Sequence, residues 1–110
     1  MKNPNSFCVF YIPCANKDEA RLLAQRAVKE KIAACANIID KIESYYEWEG
    51  EVKSDSEFLL LLKSKVSMQK KVEELVDRHH SYDLPAVLSL SLLDGNDSYL
   101  TWIHERIQEN

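Results

Sequence analysis

The chain is predicted to be an α+β protein with a β-α-β-β-α-β order and a closing helix. This is the ferredoxin-like split βαβ arrangement, with helices on one face of an antiparallel sheet. Three observations predict it. The runs Phe7-Cys8-Val9-Phe10-Tyr11-Ile12-Pro13 and Phe58-Leu59-Leu60-Leu61-Leu62 are almost wholly apolar without alternation, as strands covered on both faces are. Two intervening segments repeat apolar residues at helical spacing. Between the helical segments, Glu49-Gly50 separates two long strand-like arms as a hairpin turn does.

Along the chain, the first run is a central strand. Asn16 followed three residues later by Glu19 is an N-x-x-E variant of the capping box, so a helix starts there. Ala20, Leu23, Ala24, Ala27, Val28 and Ile32 form its packing face, with Arg21, Gln25, Arg26, Lys29 and Glu30 on the other side. The small residues Ala33-Ala34-Cys35-Ala36 lead into the first hairpin arm, residues 37–48, rich in Ile and Tyr. The second arm covers residues 52–63. A second helix follows, capped by Ser67, with Met68, Val72, Leu75 and Val76 on its apolar face, His79-His80 at its end and Pro85 as its stop. Residues 86–93 form the last strand, Asp94-Gly95-Asn96 a turn, and Tyr99, Leu100, Ile103 and Ile107 mark the closing helix.

Arms of about 12 residues span about 40 Å at roughly 3.3 Å per residue. A domain of this length has a radius of gyration near 13 Å, by the usual scaling. The hairpin is therefore expected to project beyond its own core. Its end carries Tyr45, Tyr46 and Trp48, rings that are costly to leave wet, so a partner chain is implied. A bulge that folds the arms back over the same chain is the alternative.

The 110 residues suit one domain with one core. A net charge of −4 gives no clustered cation for phosphate, so no nucleic-acid partner is expected. No apolar run approaches the roughly 20 residues of a membrane-spanning helix, so no membrane partner is expected. The start of the chain lacks the apolar core of a secretion signal, which places the protein in the cytoplasm. Cys8, Cys14 and Cys35 are odd in number and lack C-x-x-C spacing, so they read as reduced thiols.

Five segments follow one another in a specific order: residues 30–37, Ser44-Tyr45-Tyr46-Glu47-Trp48-Glu49-Gly50, residues 58–64, His80-Ser81-Tyr82-Asp83-Leu84-Pro85, and residues 95–103. In this register the chain resembles the CutA family of trimeric divalent-cation-tolerance proteins. The resemblance implies a homotrimer in which long hairpins pair between subunits, and a link to copper and other divalent cations. It also points, from copper-binding bacterial members, to a cysteine at the end of the first strand and a His-His pair at the end of the second helix. His79 and His80 match the pair. Ile12 stands at the cysteine position, with Cys14 two residues later on the same face of the strand.

Imidazole with thiolate suits copper, which heads the divalent affinity order, so Cys14 with His79 or His80 is a chemically sound metal site. Adjacent helical residues point about 100° apart, so one histidine ligates while the other packs unless the helix has frayed. The competing reading has both histidines ending the helix, favoured by about 0.3–1 kcal/mol from its dipole and stacked on Tyr82. Cys8 and Cys35 read as small core residues. Glu47, Glu49, Glu51, Asp55 and Glu57 read as a solvated strand face rather than a hard-cation site. Tyr45, Tyr46, Trp48, Tyr82 and Trp102 line an intersubunit cleft or pack an interface.

Two functions follow. One is a metal-responsive binding protein, with copper foremost, that performs no turnover. The other is a trimeric small-ligand or signalling module of PII-like architecture. An enzyme is the weakest reading: no Ser-His-Asp set, P-loop or zinc-hydrolase motif occurs, and Gly50 and Gly95 are the only glycines.

Overall fold

The first apolar run forms β1 (Phe7–Cys14) in the computed structural model, which describes residues 6–107. Residues 1–5, read above for a secretion signal, lie outside the described residues. The remaining elements are α1 (Lys17–Lys29), β2 (Cys35–Trp48), β3 (Glu51–Lys65), α2 (Gln69–His79), β4 (Leu88–Ser91) and α3 (Asp97–Arg106). The strands form one sheet in the order β2-β3-β1-β4, and every neighbouring pair is antiparallel. The α1 connection spans β3 and the α2 connection spans β1, so each helix joins two strands separated by a third.

Alternation along the central strands sends Cys8, Phe10 and Ile12 of β1 and Leu60 and Leu62 of β3 to one face. There they meet Ala20, Leu23 and Ala27 of α1 and Val72, Leu75 and Val76 of α2, all essentially without solvent exposure. Full burial of each large aliphatic side chain contributes about 1.5–3 kcal/mol, so this layer is the main source of stability.

The opposite face is different. Val9, Tyr11 and Leu61 are half-buried there, and Ile39, Leu88 and Leu90 are 46, 55 and 50% exposed. Coverage on both faces, which the unbroken apolar runs predict, is met on one face only within a single chain.

Asn16 caps α1 as its spacing predicts, its side chain accepting the Glu19 N–H at 2.8 Å. Val28, assigned to the packing face, is exposed. Ser67 is not the cap of α2. It lies inside a 3-10 turn, Val66–Met68, and the residue preceding the helix is Met68, which makes no side-chain cap bond. Pro85 does not stop α2 either, because the backbone is already extended at His80 (φ −88°, ψ 143°). The last strand is shorter than residues 86–93: only Leu88–Ser91 pair with β1, opposite Cys8 to Tyr11.

The hairpin does carry a bulge, between Ile39 and Ile42, with Lys41 at φ 58°. Pairing resumes at Ile42 opposite Glu57 and continues to Trp48 opposite Glu51, so the arms are not folded back. The chain measures 47 × 26 × 23 Å, and Tyr45, Trp48 and Val52 are 69, 53 and 77% exposed on the projecting arms. The hairpin turns through Glu49 and Gly50, both at positive φ (51° and 80°), as a type I′ turn requires. A Cβ added at Gly50 would meet nothing within 4 Å, so only backbone strain opposes substitution. Gly50→Ala is expected to cost about 1 kcal/mol in urea unfolding, and Gly50→Asn less, because Asn tolerates the left-handed region.

Candidate metal site

Four elements meet where β1 ends. β1 delivers Cys14 as its last residue, the first turn of α1 delivers Glu19, and the extended residue after α2 delivers His80. Ligand atoms of these three, the thiol sulfur, a carboxylate oxygen and a ring nitrogen, lie within 4.8 Å of one another. The fourth element, β3, contributes Glu57 beside them.

The His80 imidazole is fully buried, and both ring nitrogens have partners. Nδ1 accepts the backbone N–H of Tyr82 at 3.1 Å, so in the neutral ring the proton sits on Nε2, which donates to the Pro13 carbonyl at 2.8 Å. Glu19 Oε2 lies 3.4 Å from the same nitrogen. Glu19 does not close the predicted capping box with Asn16. It accepts the Ala15 N–H at 3.3 Å and the Ser81 N–H at 2.8 Å, tying the end of β1 to the segment after α2. Its signal in the sequence was its place one helical turn beyond the strand that ends at Cys14, where a capping residue also faces the strand end.

Burial pushes the Cys14 thiol up to about 12, and the carboxylates of Glu19 and Glu57 add to that shift. The resting group is therefore a thiol, and it donates a long bond to the Ile12 carbonyl (3.6 Å). Glu57 corrects the reading of the hairpin carboxylates as solvated. Glu47, Glu49, Glu51 and Asp55 are exposed, but Glu57 is only 8% exposed and accepts the Tyr82 hydroxyl at 2.7 Å. Burial, then this bond, raises the Tyr82 hydroxyl above its ordinary range. The Tyr82 ring meets the His80 ring edge-on at 4.7 Å, so the anticipated contact between them is present.

His79 is not in the group. It closes α2, while the change to extended backbone at His80 turns the second ring inward, so Cys14 is brought together with one histidine of the pair. Cys8 is buried as expected and its thiol is raised to about 12 by burial. Cys35 is only half-buried, because it opens β2 on the less covered face opposite Lys63. The residues assigned to a cleft do not converge within one chain. Tyr45, Tyr46 and Trp48 lie on the projecting hairpin, Tyr82 packs at His80 and Glu57, and Trp102 lies on α3 beside Tyr99 and Arg106.

The model of the family described as CutA1 divalent ion tolerance protein matches residues 8–106, which span the sheet, the three helices and all three clustered donors. The chain belongs to the CutA1 family. A chloroplastic CutA of Arabidopsis thaliana is 45% identical over 95 residues, covering 86% of this chain and 52% of that protein. The divalent-cation tolerance protein CutA of Thermus thermophilus is 38% identical over 97 residues, covering 88% of this chain and 94% of its own length. The chain thus spans about half the length of the plant CutA but nearly all of the bacterial one. The crystal structure of CutA1 from Oryza sativa superposes with a TM-score of 0.91 at 38% identity, covering 98% of this chain and 100% of that one. The CutA1 family is named for divalent-ion tolerance rather than for a reaction. No helix among the described residues is long and apolar enough to cross a membrane.

Proposed function

We propose that this CutA1-family chain binds a divalent transition-metal ion, copper foremost, at Cys14, Glu19 and His80, and does so as a ferredoxin-like homotrimer without catalytic turnover. The observation that carries the reading is the approach of thiol, carboxylate and imidazole donors to within 4.8 Å of one another. A sulfur–nitrogen–oxygen set suits copper or zinc and is poorly matched to magnesium or calcium, which take oxygen ligands.

Loading has a structural consequence. For Nε2 of His80 to ligate, the ring proton must move to Nδ1, which faces the Tyr82 N–H. Two donors cannot face each other, so the Tyr82 peptide has to turn away. Ser81, bonded to Glu19, moves with it. Metal uptake is thus coupled to opening of the segment after α2, which makes the site responsive to the ion. Among the described residues all three cysteines are free thiols, which a reducing compartment such as the cytoplasm preserves.

Titration calorimetry of copper and of zinc into metal-free, reduced protein under anaerobic conditions tests the reading. Cys14→Ala and His80→Ala should each weaken binding about 100-fold, equivalent to ~2.7 kcal/mol, while His79→Ala should leave it within a few-fold. Absence of binding, or equal losses for His79→Ala and His80→Ala, would overturn the assignment.

The half-covered sheet face supports the trimer. Ile39, Leu88 and Leu90 are about half exposed on a sheet whose central strands have the composition of strands buried on both sides, and a second copy would cover them. Sedimentation should give a trimer at micromolar protein, and Leu90→Asp should shift it towards monomer; a monomeric parent chain would exclude this assembly. The exposed rings of Tyr45 and Trp48 favour a second reading, a PII-like module whose metabolite sits between subunits at the hairpin, with Tyr46, Tyr82 and Trp102 around it. A metabolite that raises the melting temperature of metal-free protein would support that reading.

A further inference from the structure

We propose that Glu57 is the fourth ligand of the metal site, and that the Tyr82 hydroxyl holds it in reserve until the ion arrives. This rests on the metal reading above and adds to it a residue and an order of events. Three donors, from Cys14, Glu19 and His80, converge at the end of β1, whereas zinc and copper(II) held by such donors commonly take four ligands.

Glu57 directly precedes Phe58, the cross-strand partner of Cys14 and the point at which pairing between β3 and β1 ends. No strand on that side therefore separates Glu57 from the segment after α2. The Tyr82 side chain spans the interval: its hydroxyl donates to Glu57 Oε2 at 2.7 Å, and its ring meets the His80 ring edge-on at 4.7 Å. The carboxylate of Glu57 also acts on the Cys14 thiol, which it helps to raise. Glu19 and Glu57 are the buried carboxylates among the described residues, and none of those residues pairs a cation with Glu57.

The order of events follows from the contacts of Tyr82. When Nε2 of His80 ligates, the proton on Nδ1 faces the Tyr82 N–H and the Tyr82 peptide turns away. The phenol belongs to the same residue, so the turn draws its hydroxyl from Glu57. A buried carboxylate that loses its donor is costly to leave unpaired, and an adjacent cation is the favourable replacement. Glu57 thus exchanges the phenol for the ion as His80 engages, and Tyr82 ties the two steps together.

Cobalt(II) titration of the metal-free, reduced full chain tests the proposal, read as affinity and as the visible ligand-field band of the saturated complex. The variants are Glu57→Gln, Tyr82→Phe and the two combined. Glu57→Gln should weaken binding at least about tenfold and move the band, because an amide oxygen is a weaker donor than a carboxylate. Tyr82→Phe keeps the ring on His80 and removes the bond that holds Glu57 back. It should tighten binding about tenfold, the usual contribution of a hydrogen bond to a charged group. In the Glu57→Gln background the same change should leave affinity within about twofold. A purely structural role for the pair would instead give losses in both single variants and an unmoved band. An unmoved band in Glu57→Gln, weaker binding in Tyr82→Phe, or equal tightening by Tyr82→Phe in both backgrounds would overturn the proposal and leave Cys14-dependent binding of the parent chain standing. If Glu57→Gln folds poorly, Tyr82→Phe decides, since it removes one oxygen from a half-buried side chain. A parent chain that takes up no cobalt would overturn the metal reading and this proposal together.

Discussion

Raising the pH from 6 to 8 is expected to tighten cobalt(II) binding to the metal-free protein about 100-fold, one decade per pH unit. The thiol of Cys14 is held up to about 12, so the free site carries its proton throughout that interval. A metal-bound sulfur is a thiolate, so one proton leaves for each ion taken up. The bound state holds fewer protons than the free state, and higher pH therefore favours binding. Cobalt reports the sulfur directly through its thiolate charge-transfer absorption. Cys14→Ser should lose that band and most of the pH slope. A flat profile in the parent protein would mean that sulfur is not a ligand.

Glu19→Ala is expected to destabilise the chain by about 2–4 kcal/mol. Truncation strands two part-buried backbone donors, the N–H groups of Ala15 and Ser81, and takes from His80 the acid that approaches its Nε2. An orphaned donor costs about 1–3 kcal/mol when fully buried and less where water reaches it, so the two part-buried donors together account for the lower part of that loss and the buried carboxylate's contact with His80 for the rest. Glu19→Gln should lose less, since its amide oxygen can still accept one of the two N–H groups. Urea unfolding at one fixed protein concentration measures both variants, the fixed concentration mattering because assembly adds to apparent stability. A loss under 0.5 kcal/mol, about the ordinary effect of a surface substitution, would show that the tie between α1 and the segment after α2 is dispensable.

Most of the element order is legible in the sequence alone, for a local reason. The apolar runs of β1 and β3, the stripes of α1 and α2 and the Glu49-Gly50 turn are patterns completed within a few residues, and each element formed where its pattern lay. Asn16 capped α1 because a cap answers to N–H groups two and three residues away. The boundaries at Pro85 and residues 86–93 lie elsewhere because packing ends those elements first: α2 stops where His80 turns into the core, and β4 is only as long as the stretch of β1 it pairs with, while Ser67 falls inside the 3-10 turn that precedes α2.

The site divides along the same line. Cys14 and the histidine pair stand out by residue type and by their place at element ends, and the family likeness adds to that signal. Which histidine turns inward, and that Glu19 and Glu57 join it, depend on α1, α2 and β3 packing against one strand end. His80 bonds to Pro13, and Ser81 to Glu19, across more than 60 positions of chain, a separation at which periodicity and propensity carry no information. A glutamate in a first helical turn reads as a cap and one on a hairpin as solvated until burial is known. Local chemistry along the chain thus settles what each segment becomes, while the close packing of those segments settles which side chains lose water and, with it, what they can do.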